Sequence, residues 1–233
     1  MTGPLAGGTA VVTGASRGIG RAIALRLAEA GADLALWARG AQALQRVAEE
    51  VSALGGRALA TVCDVSDPAA VHQAAEAVRR TLAPVTLVVN NAGAVLRKPT
   101  VEITDAEWRR IMGVNLDGTF YVTRAFLPDL IRASGRVINI SSIAGREGTP
   151  LLAAYCAAKH GVVGLTRALA EELRAAKVCV NAICPGSVDT NMLRDGMPGA
   201  SADMSPDDIA RTALFLAHAA PPALTGACID VYG

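Results

Sequence analysis

Aromatic side chains are scarce in this 233-residue chain: two Trp, three Tyr and three Phe amount to 3% of it. A core must therefore be filled by Ala, Val, Leu and Ile, which suits helices packed closely on a buried sheet. An excess of either charge is also missing, with 22 Lys and Arg against 21 Asp and Glu. No basic run appears, so neither nucleic acid nor an anionic membrane surface is expected as a partner. No apolar run is long enough to span a membrane, and the N-terminus lacks the basic patch and apolar stretch of a secretory leader. The five cysteines (Cys63, Cys156, Cys179, Cys184, Cys228) are odd in number and lack metal-ligand spacing. They read as buried thiols in a reduced, cytoplasmic protein without a metal. Without linker, low-complexity stretch or fixed-period repeat, one domain over 1–233 is expected.

What is present is alternation. Residues 8–13 read as a short buried strand that stops at Gly14, and 21–30 as a helix with Ile23, Leu27 and Ala30 on one face and Gly31 as its stop. The same pair recurs at 34–38 with 42–54 and at 57–63 with 68–82. Strand 85–90 is followed by helices over 104–114 and 118–131, then strand 136–141. A long helix over 153–174 leads to strand 178–184, and a helix over 206–217 precedes a last strand at 227–232. Strands apolar along their whole length and joined by helices demand a parallel sheet covered on both faces. The predicted fold class is a single-domain Rossmann-type, doubly wound α/β sheet of about seven strands.

Two clusters carry chemistry. Gly14, Ser16, Arg17, Gly18, Ile19 and Gly20 lie between the first strand and first helix. Glycines there let the backbone turn tightly and approach a pyrophosphate, which the helix N-terminus favours. Packing alone can also require such a turn. Tyr155 and Lys159 are four residues apart on a helix and share a face. A neighbouring ammonium favours the phenolate, so Lys159 is expected to lower the Tyr155 pKa toward the working range. A Tyr and a Lys one turn apart are otherwise a common surface pair, Ser141-Ser142 a common turn, and Asn115 a common helix cap. His160, His72 and His218 lack acidic partners in the pattern and read as packed or solvated. Cys156 reads as a buried helix thiol.

The spacing Thr13-Gly14-x-x-x-Gly18-Ile19-Gly20 resembles the short-chain dehydrogenase/reductase family, and five further motifs agree with it in order. These are Asp64-Val65, Asn90-Asn91-Ala92-Gly93, the Val114-Asn115-Leu116-Asp117-Gly118 segment, Tyr155-x-x-x-Lys159 with Ser142 thirteen residues upstream, and Pro185-Gly186. The resemblance covers nearly the whole chain and is strongest to 3-oxoacyl-(acyl-carrier-protein) reductases. It implies Tyr155 as acid–base, Ser142 holding the substrate oxygen, Lys159 on the nicotinamide ribose, and Asn115 positioning a water that links Lys159 to solvent. It implies dinucleotide contacts from Gly14, Ser16, Arg17, Gly18, Ile19, Gly20, Asp64, Val65, Asn91, Gly93, Tyr155, Lys159, Pro185, Gly186 and Val188. At the end of the second strand, Ala38 stands where relatives that use NAD place an acid, and Arg39 follows. With Arg17, that favours NADP(H).

The resemblance also implies a substrate loop over 187–205, with Met192, Leu193 and Met197 forming an apolar lid. The loop is short and little follows the last strand, so an open site suited to a bulky or carrier-linked carbonyl is expected. Arg132, Arg174 and Lys177 are candidates for carrier contact. A homotetramer or homodimer is implied, pairing helices 118–131 and 153–174 through Phe120, Val122, Phe126, Val162, Leu165 and Leu169. Competing readings are a reductase or dehydrogenase for another ketone, secondary alcohol, sugar or steroid, and a catalytically silent dinucleotide sensor.

Overall fold

The computed structural model describes residues 3–233. Strands β1 (Thr9–Thr13), β2 (Asp33–Ala38), β3 (Ala58–Val62), β4 (Val85–Asn90), β5 (Arg136–Ile140), β6 (Cys179–Pro185) and β7 (Cys228–Val231) form one sheet in the order β3-β2-β1-β4-β5-β6-β7. Every pairing is parallel. Because side chains alternate along a strand, Ala10, Val12, Leu34 and Leu36 enter one core while Val11, Ala35 and Trp37 enter another. The first core is covered by α1 (Gly18–Glu29), α2 (Ala41–Ala53) and α8 (Pro206–Leu214). The second is covered by α3 (Pro68–Thr81), α5 (Gly118–Ala133) and α6 (Ala153–Glu172). The doubly wound sheet expected from the sequence is the one found.

The strand order reverses between β1 and β4, and the crevice outside the C-terminal ends of such strands is where ligands enter this architecture. Both Gly14 and the Asn91–Gly93 turn emerge there, as do the loops after β5 and β6.

Several boundaries differ from the sequence reading. Helix α1 starts at Gly18 rather than at 21, because its first turn is glycine-rich and carries little apolar periodicity. The break expected between the two helices after β4 is absent. Instead α4 (Asp105–Met112) runs into α5 through a π turn at Gly113–Asp117. Pro185 closes β6 instead of following it. Within 187–205 a short helix, α7 (Asn191–Gly196), forms where only loop was expected. No helix among the described residues is long and apolar enough to cross a membrane.

Candidate active site

The loops after β1 and β4 are fastened to each other by one threonine. Thr13 Oγ1 accepts the N–H groups of Asn91 and Ala92, both at 3.0 Å. The Asn91 side-chain amide donates in turn to Thr13 O at 3.0 Å and Gly14 O at 3.2 Å. Gly14 has φ +63°, and a Cβ there would sit 2.9 Å from Ala92 Cα, so conformation and space both demand glycine. Gly18 has φ +54°, and a Cβ there would lie 3.3 Å from Thr190 Cγ2. The result is a cradle of bare backbone at the start of α1, where N–H groups and the helix dipole favour an anion. Ser16 and Ile19 are half-buried along it and Arg17 is exposed.

Across the crevice, Ala38 is buried at the end of β2 and Arg39 is exposed just beyond. Asp64 turns one carboxylate oxygen to the Ser66 N–H (3.0 Å) and hydroxyl (2.7 Å). Burial alone would raise this carboxyl, but the Ser66 bonds and the Arg39 charge outweigh it and hold it below the usual range. Val65 is buried, and Val188 is buried in an isolated parallel bridge to Met204. Pro185 and Gly186 join β6 to that segment.

The second cluster lies beyond β5. Ser142 opens a 3₁₀ turn at Ile143–Gly145, its Oγ accepting the Ala144 N–H at 3.1 Å. Ser141, which the sequence presented only as part of a turn, fastens β5 to α6 through a 3.0 Å bond to Lys159 O. A Cβ on Gly145 would lie 2.6 Å from both Lys159 O and Ser141 Oγ, so this turn presses directly on α6. Tyr155 is 8% exposed and Lys159 4% exposed. Lys159 Nζ donates to Ile140 O at 2.8 Å and lies 5.7 Å from the Tyr155 ring centre.

That orientation corrects the expected electrostatics. Burial pushes the Tyr155 phenol up to about 12, against the pull of the neighbouring Ser142 hydroxyl. Burial sets this shift, while the Lys159 ammonium is turned to a β5 carbonyl. Burial likewise brings Lys159 down to about 8, with the nearby Cys184 thiol acting the other way.

Asn115 sits fully buried in the π turn. Its amide donates to Ala94 O (2.8 Å) and Ile111 O (2.9 Å), while its Oδ1 accepts the Ala94 N–H at 3.3 Å. The bonds to Ala94 tie the segment after β4 to the helix junction, and the bond to Ile111 O closes the π turn on α4. Gly93 permits this, because a Cβ there would lie 2.9 Å from Asn115 Oδ1.

An open site was expected, yet Tyr155 is covered. Its hydroxyl points at Met192 Sδ of α7, 3.9 Å away. Met192 packs with Ala94, Val95, Leu96, Leu116 and Cys156 around a small apolar core of Ile111, Ala144, Leu152, Ala154, Tyr155 and Ala158. Met197, expected in the lid, is turned outward. Cys156 is half-buried rather than buried. His160 is exposed, its Nδ1 beside Cys156 O at 2.9 Å, and His72 and His218 are exposed. No group of three His, Cys, Asp or Glu among the described residues could hold a metal ion.

Residues 8–199 match the sequence pattern described as short chain dehydrogenase. The chain belongs to the short-chain dehydrogenase family. It is 36% identical over 241 residues to the 3-oxoacyl-[acyl-carrier-protein] reductase FabG of Pseudomonas aeruginosa, covering 98% of this chain and 97% of that one. A blue fluorescent protein from a metagenomic library, solved in complex with NADPH, superposes with a TM-score of 0.93 at 36% identity, covering 99% and 98%. Carveol dehydrogenase from Mycobacterium avium, solved with NAD, superposes at 0.91 with 30% identity and the same coverage. This short-chain dehydrogenase is an oxidoreductase, and 3-oxoacyl-[acyl-carrier-protein] reductases are among its relatives.

Proposed function

We propose that this chain is an NADPH-dependent carbonyl reductase, reversible as an alcohol dehydrogenase, and most like a 3-oxoacyl-(acyl-carrier-protein) reductase. The observation that carries the reading is the convergence of Ser142, Tyr155 and Lys159 beyond β5, beside the crevice that the bare backbone of Gly14 and Gly18 opens. The residues present suit a dinucleotide: the start of α1 would receive its pyrophosphate, and Asp64, Val65, Asn91 and Gly93 would flank it. Ala38 offers no carboxylate to repel a 2′-phosphate, while Arg39 and Arg17 supply positive charge. When bound, the reduced cofactor supplies the hydride that goes to the carbonyl carbon. Tyr155 gives its hydroxyl proton to the oxygen, which becomes the alcohol, and Ser142 holds that oxygen by a hydrogen bond. Lys159 holds the nicotinamide ribose and lends positive charge to the site, and Asn115 braces the wall opposite.

The apolar surroundings of Tyr155 favour a second reading, a reductase for another ketone or secondary alcohol. Carrier docking has less support, since Arg132 pairs with Asp129 and Arg174 with Glu171. A dinucleotide sensor has no use for the acid–base pair. The unpaired cysteines support a reducing, cytoplasmic setting.

The test is NADPH oxidation followed by absorbance, with an acetoacetyl thioester and a panel of simple ketones. The Tyr155→Phe protein should lose at least ~10²-fold in turnover while still binding NADPH. Preference for the thioester supports the acyl-chain reading, and turnover of ketones alone supports the second. An unchanged Tyr155→Phe rate would end both.

A further inference from the structure

We infer that Met192 sets the size of carbonyl compound this site accepts, because its thioether fills the space beside the Tyr155 hydroxyl that a reacting carbonyl must enter. The inference rests on the reading of Tyr155 as proton donor. A carbonyl oxygen taking that proton must come within roughly 2.6–3.2 Å of Tyr155 Oη. In the structure the hydroxyl faces a sulfur 3.9 Å away, a weak acceptor that a carbonyl oxygen readily outcompetes. The Met192 methyl reaches inward over the turn after β4, 3.6 Å from where a Cβ on Gly93 would stand. Of the apolar residues in the segment after Gly186, Met192 packs into the group around Tyr155, whereas Met197 has its sulfur 3.8 Å from Arg97 Nη1 at the surface.

The segment carrying Met192 is pinned more firmly than its loop-like composition suggests. Its two ends are joined by the Asp203 and Met204 N–H groups to Ser187 O, both at 3.1 Å, and by Asp189 N–H to Met204 O at 2.9 Å. Helix α7 is capped by Thr190, whose Oγ1 accepts the Leu193 N–H at 3.2 Å, and it ends against Val95, 3.0 Å from a Cβ position on Gly196. With the backbone held at both ends, the side chain is what can yield. Methionine is unbranched, with three rotatable bonds and a polarizable sulfur, so it gives way to a small ligand at little cost. A bulky substituent on the reacting carbon needs more room than that rotation provides. The same residue therefore admits carbonyl compounds with slender groups at the reacting carbon, a linear acyl chain included, and discriminates against branched or aryl ones.

The experiment is a ketone series of increasing bulk, from short methyl ketones to aryl ketones, with NADPH and the wild-type, Met192→Ala, Met192→Leu and Tyr155→Phe proteins. Met192→Ala should raise kcat/KM for the bulkiest ketone relative to the smallest by at least about tenfold, while Met192→Leu, which keeps the volume, should stay within about threefold of wild type. An unchanged ratio in Met192→Ala overturns the inference. Persistence of turnover in Tyr155→Phe would instead overturn the proton-donor reading, and the two failures are read from different proteins. If no ketone turns over, methyl-labelled methionine NMR decides. The chain has five methionines, and the Met192 signal, identified by its loss in Met192→Ala, should be the one that shifts most when ketone is added with NADPH. A ketone at saturation that leaves that signal in place overturns the inference.

Discussion

Lys159 is buried to 4% exposure with only a carbonyl partner for its ammonium, and this makes its charge the most pH-sensitive feature of the site. Burial brings it to about 8 and pushes Tyr155 up to about 12. A lysine held low is charged below its pKa and neutral above it, so the ammonium is intact at pH 6–7 and disappears as pH rises through about 8. Tyr155 stays a hydroxyl over that whole range. We expect kcat/KM for NADPH, which reports the unliganded protein, to be flat at low pH and to fall above about 8. An inflection that waits until pH 10 would show that Lys159 does not control it. Arg39 gives a second expectation. Arg39→Asp should reverse or abolish a preference for NADPH over NADH, read as the ratio of kcat/KM values, and equal use of both cofactors by the wild type would remove the premise. At this scale the sequence was informative where a backbone or an acid–base need dictates the residue, as at Gly14, Gly18, Ser142, Tyr155 and Lys159. Spacing shows that Lys159 shares a helix face with Tyr155, but not that Nζ turns to Ile140 O or that burial pushes the phenol up. Met192 was legible as one of three apolar residues of a lid, but a single methionine has no period to show that it, rather than Met197, packs beside Tyr155.

Between the elements, β4 and β5 are fastened to the helices that bear the site by buried polar side chains. The Asn90 amide donates to Thr123 Oγ1 on α5 and to Asn139 Oδ1 on β5, both at 2.9 Å, and the Asn139 amide donates to Thr166 Oγ1 on α6 at 2.9 Å. All four residues are at most 3% exposed. Asn139→Ala removes two of these bonds and leaves polar groups facing a gap, which should cost about 2–3 kcal/mol. A shift in the denaturant midpoint of less than about 0.5 kcal/mol equivalent would mean that water replaces the amide without loss. Neither this chain of bonds nor the π turn at Asn115 follows from periodicity, because an asparagine inside an apolar strand says only that some partner must exist. Helix α7 escaped for a different reason: its six residues, Asn191–Gly196, are too few to display a helical period and include glycine and aspartate. The longer elements were legible because each buries one strip or both faces against a common sheet, and that requirement is written directly into residue type.

For the whole molecule, the number of strands and their parallel sense could be read, whereas the order β3-β2-β1-β4-β5-β6-β7 follows from how crossovers pack and not from any one segment. Assembly was read from apolar residues on two helices, and the fold divides that set. Val122, Phe126, Val162 and Leu169 are spent in the core, while Phe120 remains 40% exposed. Phe120, Arg124 and Ile131 are spaced 4 and 7 apart on α5 and share its outer face, with Arg124 stacked over the Phe120 ring at 4.9 Å. On α6 the exposed positions Ala157, Gly164 and Ala168 are small, which would let a second helix approach closely. An aromatic projecting from one helix beside a smooth neighbour is the relief a second copy of this chain can match by symmetry. Phe120→Glu places a carboxylate at the centre of that contact without touching the core. We therefore expect the variant to keep its circular dichroism and thermal midpoint per protomer yet sediment as a monomer at micromolar concentration, where the wild type sediments as a dimer or tetramer. A wild type that is already monomeric, or a variant that sediments unchanged, would show that this face is not where the subunits meet.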